Sequence, residues 1–239
     1  MRLLGLDFET TGLDPNTSEI TEVGYAIVDT DNMKKPLVLR STLCTCVGPM
    51  PKDISDLTGI TDELLGECGV DLKSSLVSMQ SNIRKYKVAH MVAHNAPFDR
   101  AFLETNLKKH SIPFTEMSWI DTKKDIPWHK PMRSTSLITV AAEHGFLNPF
   151  PHAALFDVFT MLKILGEYDI KEVLAYRDEP LIFIRALVDY NTKDKAKAKG
   201  FSWQECEGRF YEKTWVKAVK QSKLDKELES YDFGTKFLD

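Results

Sequence analysis

With 239 residues, 43% of them hydrophobic and 28% charged, the chain can bury one sizeable core and still carry an appendage, which excludes a disordered or fibrous protein. No apolar run approaches the roughly eighteen residues of a membrane span, and the opening Met1-Arg2-Leu3-Leu4-Gly5-Leu6-Asp7 meets an acid too early for a secretory leader, so no membrane partner and a cytoplasmic location are expected. The net charge of −4 does not exclude a nucleic-acid partner, because ten basic and five acidic residues fall between Lys193 and Lys226 and leave the rest strongly acidic, as a carboxylate-built metal site would.

Arg2 to Glu9, Glu22 to Asp29 and Leu37 to Cys46 are apolar runs rich in Val, Ile, Leu and Tyr, which predict three strands in an antiparallel start. Cys44 and Cys46, with Cys68 and Cys206, are too few for a disulfide framework, and no second pair completes a thiolate zinc site, so free thiols are expected. Thr61 to Leu65 reads as a capped helical turn, and Leu72, Leu76, Met79 and Ile83 recur at helical spacing between Asp71 and Tyr86. Val88 to Val92 reads as a buried strand. Asn95-Ala96-Pro97 then signals a helix start, with Asn as cap and Pro in the first turn, for a helix reaching about Lys109.

Ser118 to Thr122 predicts a short strand and Ser134 to His144 a helix, and His152 to Leu165 predicts a helix so apolar that it belongs at the centre. The alternation gives an α/β fold for residues 1–177, a mixed sheet flanked by helices. Beyond Arg177 come the apolar run Leu181 to Val188, a Lys-rich stretch, aromatic segments around Gly208 and a charged helix from about Val216. Residues 178–239 are therefore expected to form a small α+β appendage.

Three clusters carry chemistry. Asp7 and Glu9 lie two apart on a strand, so both carboxylates project from one face at its end, a metal-ligand geometry. Asp99 follows in His94-Asn95-Ala96-Pro97-Phe98-Asp99, where a strand runs into a helix. Asp157 closes His152-Ala153-Ala154-Leu155-Phe156-Asp157 in the most apolar helix, where an ionised carboxylate without a cation or strong donor would cost several kcal/mol. An isolated Asp-x-Glu is usually only a solvated pair, Asp99 could merely favour a helix N-terminus, and His152 could be a loop histidine. Four acids and a histidine in this order are harder to dismiss.

In these segments the sequence resembles the DEDD superfamily of 3′-to-5′ exonucleases, which have a ribonuclease H-like fold. The first family motif is matched by Leu6-Asp7-Phe8-Glu9-Thr10-Thr11-Gly12-Leu13, the second by Ala93 to Asp99 and the third by His152 to Asp157. A histidine five residues before the last aspartate marks the histidine branch. Leu57-Thr58-Gly59-Ile60-Thr61 resembles the family's nucleotide-contacting turn, and Trp119-Ile120-Asp121-Thr122 its following strand; the likeness covers about residues 2–167.

The resemblance implies that Asp7, Glu9, Asp99 and Asp157 hold two divalent cations, Mg2+ or Mn2+ by the preference of oxygen ligands, with Asp7 the ligand expected to touch both. It also implies that His152 takes a proton from the attacking water, a task suited to a side chain that titrates near neutrality. Thr10, Thr11, Gly12, Leu13, Leu57, Thr58, His94 and Phe98 match the pocket for the terminal nucleotide.

The implied reaction is hydrolysis of terminal phosphodiester bonds of DNA, as a single strand or the 3′ end of a duplex, releasing nucleoside 5′-monophosphates. A DNA polymerase is a candidate partner, and either a monomer or a homodimer is compatible. The alternatives are an RNA or oligoribonucleotide exonuclease on the same fold, a phosphodiesterase of small nucleotides, and a catalytically silent nucleic-acid or polymerase binding module. In the appendage, Lys193, Lys195, Lys197 and Lys199 with Phe201, Trp203, Phe210, Tyr211 and Trp215 form either a single-strand platform or a small core with a solvated lysine face.

Overall fold

The computed structural model describes residues 1–114, 116–129, 132–205 and 213–238, and the chain forms two compact units, Met1–Arg177 and Asp178–Asp239. In the first unit β1 (Arg2–Thr10), β2 (Ile20–Asp29) and β3 (Val38–Leu43) form the antiparallel start. There follow α1 (Lys52–Thr58), α2 (Asp62–Cys68), α3 (Leu72–Tyr86), β4 (His90–Ala93), α4 (Ala96–Lys109), β5 (Ser118–Asp121), α5 (Leu137–Glu143), α6 (Ala154–Leu165) and α7 (Ile170–Arg177). The five strands make one mixed sheet in the order β3-β2-β1-β4-β5, with β4 parallel to β1 and to β5.

Period-two alternation along β1 divides the core and places the acids. Leu4, Leu6 and Phe8 pack with Leu76, Met79, Phe102 and Leu103 of α3 and α4. Leu3 turns to the opposite face, where Val158, Met161, Leu162 and Leu165 of α6 pack with Val140 of α5. Gly5, Asp7 and Glu9 continue Leu3's side of the strand, so the acids face the helix that carries Asp157.

Small residues under α6 let it approach. A Cβ on Gly5 would lie 3.0 Å from the Leu162 side chain, and one on Gly24, opposite Asp7 in the ladder, would lie 2.5 Å from the Ala154 backbone carbon. Gly24→Ala must push the start of α6 away from the sheet. It is expected to destabilise the protein by about 1–3 kcal/mol in urea titrations.

Several expected boundaries move. The buried strand expected at Val88 to Val92 is His90–Ala93, and the expected helix Ser134 to His144 shortens to Leu137–Glu143 with Ser136 as its cap, accepting from the Thr139 N–H. Asn95 does not cap α4 with its side chain; at φ 81° it is left-handed, held by its N–H on the Asp121 carboxylate at 3.0 Å. Helices α1 and α7 were not expected, α1 being a short helix with no fully buried residue and hence no apolar stripe to read.

In the second unit β6 (Leu181–Leu187), α8 (Lys193–Ala198), β7 (Ser202–Glu205), β8 (Lys213–Lys220), α9 (Leu224–Glu229) and β9 (Gly234–Phe237) form a four-stranded antiparallel sheet, order β7-β8-β6-β9, with two short helices. The charged helix expected from Val216 is corrected: that segment is β8, paired with β6, and the helix begins only at Leu224. Strand pairing and burial of Thr214, Val216 and Val219 outweigh the helical propensity of its lysines. The aromatics divide: Phe201 is core, against Tyr231 and Phe233, whereas Trp203 is exposed and tilted against Trp215 at 5.5 Å. Phe210 and Tyr211 lie outside the described residues.

No helix among the described residues is long and apolar enough to cross a membrane. Cys44, Cys46 and Cys68 are free, and burial pushes the Cys44 thiol up to about 12 and the Cys46 thiol up to about 11, which keeps both protonated. Cys206 lies outside the described residues.

Candidate active site

The end of β1, the start of α4 and the start of α6 bring the four acids and His152 to one place. Asp7 and Glu9 come from β1, and Asp99, 2% exposed, comes from the first turn of α4, where its Oδ1 accepts the Phe8 N–H at 3.2 Å. That bond ties the second motif to the strand of the first. Asp157 projects from the first turn of α6, and ligand atoms of Glu9, His152 and Asp157 lie within 4.8 Å of one another.

The electrostatics are those of like charges gathered out of water. Burial, then repulsion from Asp99, Glu9, Asp157 and Glu22, holds the Asp7 carboxyl well above the usual carboxylate range. Burial and the charges of Asp157 and Glu22 raise Glu9 from 4.5 to about 8. Asp99 and Asp157 are also raised, mainly by burial; the Phe8 N–H opposes the rise at Asp99, and the His152 N–H, the His152 charge and Asn148 oppose it at Asp157. A buried, mutually repelling set of carboxylate oxygens fits a hard divalent cation and suits neither a thiolate metal nor an anion.

The stability consequence has a definite sign. Glu9 titrates at about 8 in the folded chain, against 4.5, so its contribution is complete below about 4.5 and is lost as pH rises through about 8. The raised Asp7, Asp99 and Asp157 act in the same direction. Metal-free protein is therefore expected to melt lower at about pH 8.5 than at about pH 6, the Glu9 share being about 2 kcal/mol after allowance for solvent screening, and to gain more from added Mg2+ at the higher pH. Equal Mg2+ gains at both values would contradict a ligand role for these acids.

The other expected contacts surround this cluster. Thr10 Oγ1 donates to the Gly12 carbonyl at 2.7 Å and Thr11 Oγ1 accepts the Glu19 N–H at 2.9 Å, which shapes the turn after β1 and leaves Leu13 85% exposed. Leu57 is exposed on α1, and Thr58 donates to the Ile54 carbonyl at 2.9 Å. Phe98 is half-buried, packed on Phe102 with ring centroids 4.8 Å apart. His94 has both ring nitrogens engaged, Nδ1 with Thr122 Oγ1 at 2.9 Å and Nε2 with the Thr135 carbonyl at 2.8 Å, so it braces the strand ends. A cavity of about 1190 Å³, lined by Met1, Val28, Phe159, Lys163 and Tyr168 among others, contains none of the candidate acids.

Two residues at the site escaped the sequence reading. Glu22, 7% exposed, sits opposite Glu9 in the β1–β2 ladder; it accepts from Ser41 Oγ at 2.7 Å and from the Ala154 N–H, the first residue of α6, at 3.1 Å. An acid within the apolar run from Ile20 to Val28 was the available signal. Asn148 donates to Asp157, and nothing in a loop Asn-Pro pair points to that.

This architecture and constellation define the class: a sheet-end cluster of acids with one histidine on a ribonuclease H-like fold. The protein-family profile described as Exonuclease (RNase_T) matches residues 4–165, and the chain belongs to that family. Among curated proteins it is similar to the DNA polymerase III PolC-type of Thermotoga petrophila, 34% identical over 153 residues, which is 64% of this chain and 10% of that one. It is also 34% identical over 116 residues to the PolC-type polymerase of Mycoplasmopsis pulmonis, 48% of this chain and 8% of that one. The chain thus spans about a tenth of the length of these relatives. A solved nuclease domain of 3′hExo, a DEDDh family member bound to rAMP, shares the fold with TM-score 0.60 and 16% identity, covering 70% of this chain and 90% of that one. A 3′-exonuclease solved in recognition of a histone mRNA stem-loop matches with the same TM-score and identity over 70% of this chain and 80% of that one.

Proposed function

We propose that this exonuclease removes nucleotides from the 3′ end of DNA, as a single strand or a duplex end, with two divalent cations, Mg2+ or Mn2+, held by Asp7, Glu9, Asp99 and Asp157. The observation that carries the proposal is the convergence of these four acids and His152 from three separate elements, with their carboxyl groups raised by burial and mutual repulsion. Bound cations would supply Lewis-acid stabilisation of the charge that develops on the phosphate and the leaving oxygen. His152 takes the proton of the attacking water, and its position on a half-buried loop keeps it within reach of solvent. Leu13, Leu57 and Phe98 offer apolar contact to the terminal base while Thr10, Thr11, Gly12 and Thr58 shape the pocket and His94 braces it, a set that reads no particular base.

The PolC-type relatives, DNA polymerases by name, support DNA over RNA and work beside a DNA polymerase. The test is the ratio of initial rates on matched single-stranded DNA and RNA with Mg2+. DNA cleaved faster supports the proposal, and RNA cleaved faster replaces it with the exoribonuclease reading.

A further inference from the structure

The loop before α6 is fastened to Asp157 at two points. Asn148 Nδ2 donates to Asp157 Oδ1 at 2.5 Å, and the His152 N–H donates to Asp157 Oδ2 at 3.2 Å. Asn148 also accepts the Phe150 N–H on its own Oδ1 at 3.0 Å, which closes a turn within the loop. His152 itself is held at φ 62°, a backbone conformation that a histidine seldom adopts without a surrounding structure to impose it. Both carboxylate oxygens of one candidate ligand are thus engaged by the loop that presents the candidate base.

We propose that Asn148 is a positioning residue that couples the cation ligand Asp157 to the proton acceptor His152, so that cation capture and placement of the base are linked. The proposal rests on the roles given to Asp157 and His152 above. Asn148 orients the Asp157 carboxylate from one side, and through its turn it sets where His152 stands on the other. Partners that orient a metal ligand from behind typically change metal affinity or activity by about 10- to 100-fold when removed.

Two variants separate this from a merely structural turn. Asn148→Asp keeps the acceptor for the Phe150 N–H but replaces the donor to Asp157 with a second carboxylate that repels it. In metal-free protein it is expected to speed amide hydrogen exchange at His152 about tenfold or more, with the rest of α6 protected as in the wild type. Asn148→Ala is expected to weaken Mn2+ binding about tenfold by calorimetry and to lower kcat on single-stranded DNA more than it raises KM. Wild-type exchange at His152 together with wild-type Mn2+ affinity in these variants, even if the melting temperature falls, would overturn the coupling. A wild-type protein that binds Mn2+ and cleaves no strand would instead count against the exonuclease reading, and exchange and calorimetry would still decide the role of Asn148.

Discussion

Asp7→Asn is expected to lower kcat on single-stranded DNA by about a thousandfold or more while leaving the metal-free fold as stable as the wild type or slightly more so. The two effects have one origin. Asp7 sits half-buried among Asp99, Glu9, Asp157 and Glu22, whose charges and whose shared burial all oppose its ionisation. Asparagine has nearly the same shape and no charge, so it relieves that repulsion in the folded chain and simultaneously removes a carboxylate that interacts with all three of the others. A loss of several kcal/mol of transition-state stabilisation corresponds to the stated rate factor, since each 1.36 kcal/mol is about tenfold. Thermal melts without metal, set beside single-turnover rates with Mg2+, check both halves. A variant that unfolds, or one that cleaves at wild-type rate, would remove Asp7 from the proposed site.

His152→Asn is expected to lower kcat by about 10²- to 10⁴-fold, with little change in KM. Asparagine is preferred to alanine here because the residue stands at φ 62°, a region that Asn tolerates well and Ala does not. The variant keeps the backbone N–H that donates to Asp157 and loses only the imidazole. A loss confined to kcat marks a group that acts on the proton in flight. A loss confined to KM would mean that the imidazole holds the strand instead.

Much of this site could be read from the chain because its signals are local. Asp7 and Glu9 share a face through strand period alone, and Asp157 stands out as an acid in the helix whose neighbours Val158, Met161, Leu162, Ile164 and Leu165 are all buried. The strand starts and the capped helices at Thr61 and Asp71 follow from equally local chemistry: Thr61 accepts the Leu64 N–H and Asp71 the Ser74 N–H.

What escaped depends on contacts between residues far apart. Glu22 becomes part of the site only when β2 registers against β1 and α6 settles over Gly24, 132 positions of chain separating Glu22 from the N–H it accepts. Asn148 and the left-handed Asn95 owe their roles to the carboxylates of Asp157 and Asp121, which no periodicity announces. The β8 segment departs from its expected helix for a related reason. Its lysines favour a helix, and pairing with β6 overrides them.

The cluster at the end of β1 is proposed to hydrolyse nucleic acid from the 3′ end with divalent cations. The most direct measurement is incubation of the full chain with 5′-labelled single-stranded DNA, with Mg2+ or with chelator, alongside Asp7→Asn. The expected result is a ladder shortening one nucleotide at a time from the 3′ end, present with Mg2+ and absent with chelator and in the variant. A folded protein that binds the strand without shortening it, or a ladder that persists in the chelated sample or in Asp7→Asn, would contradict the account.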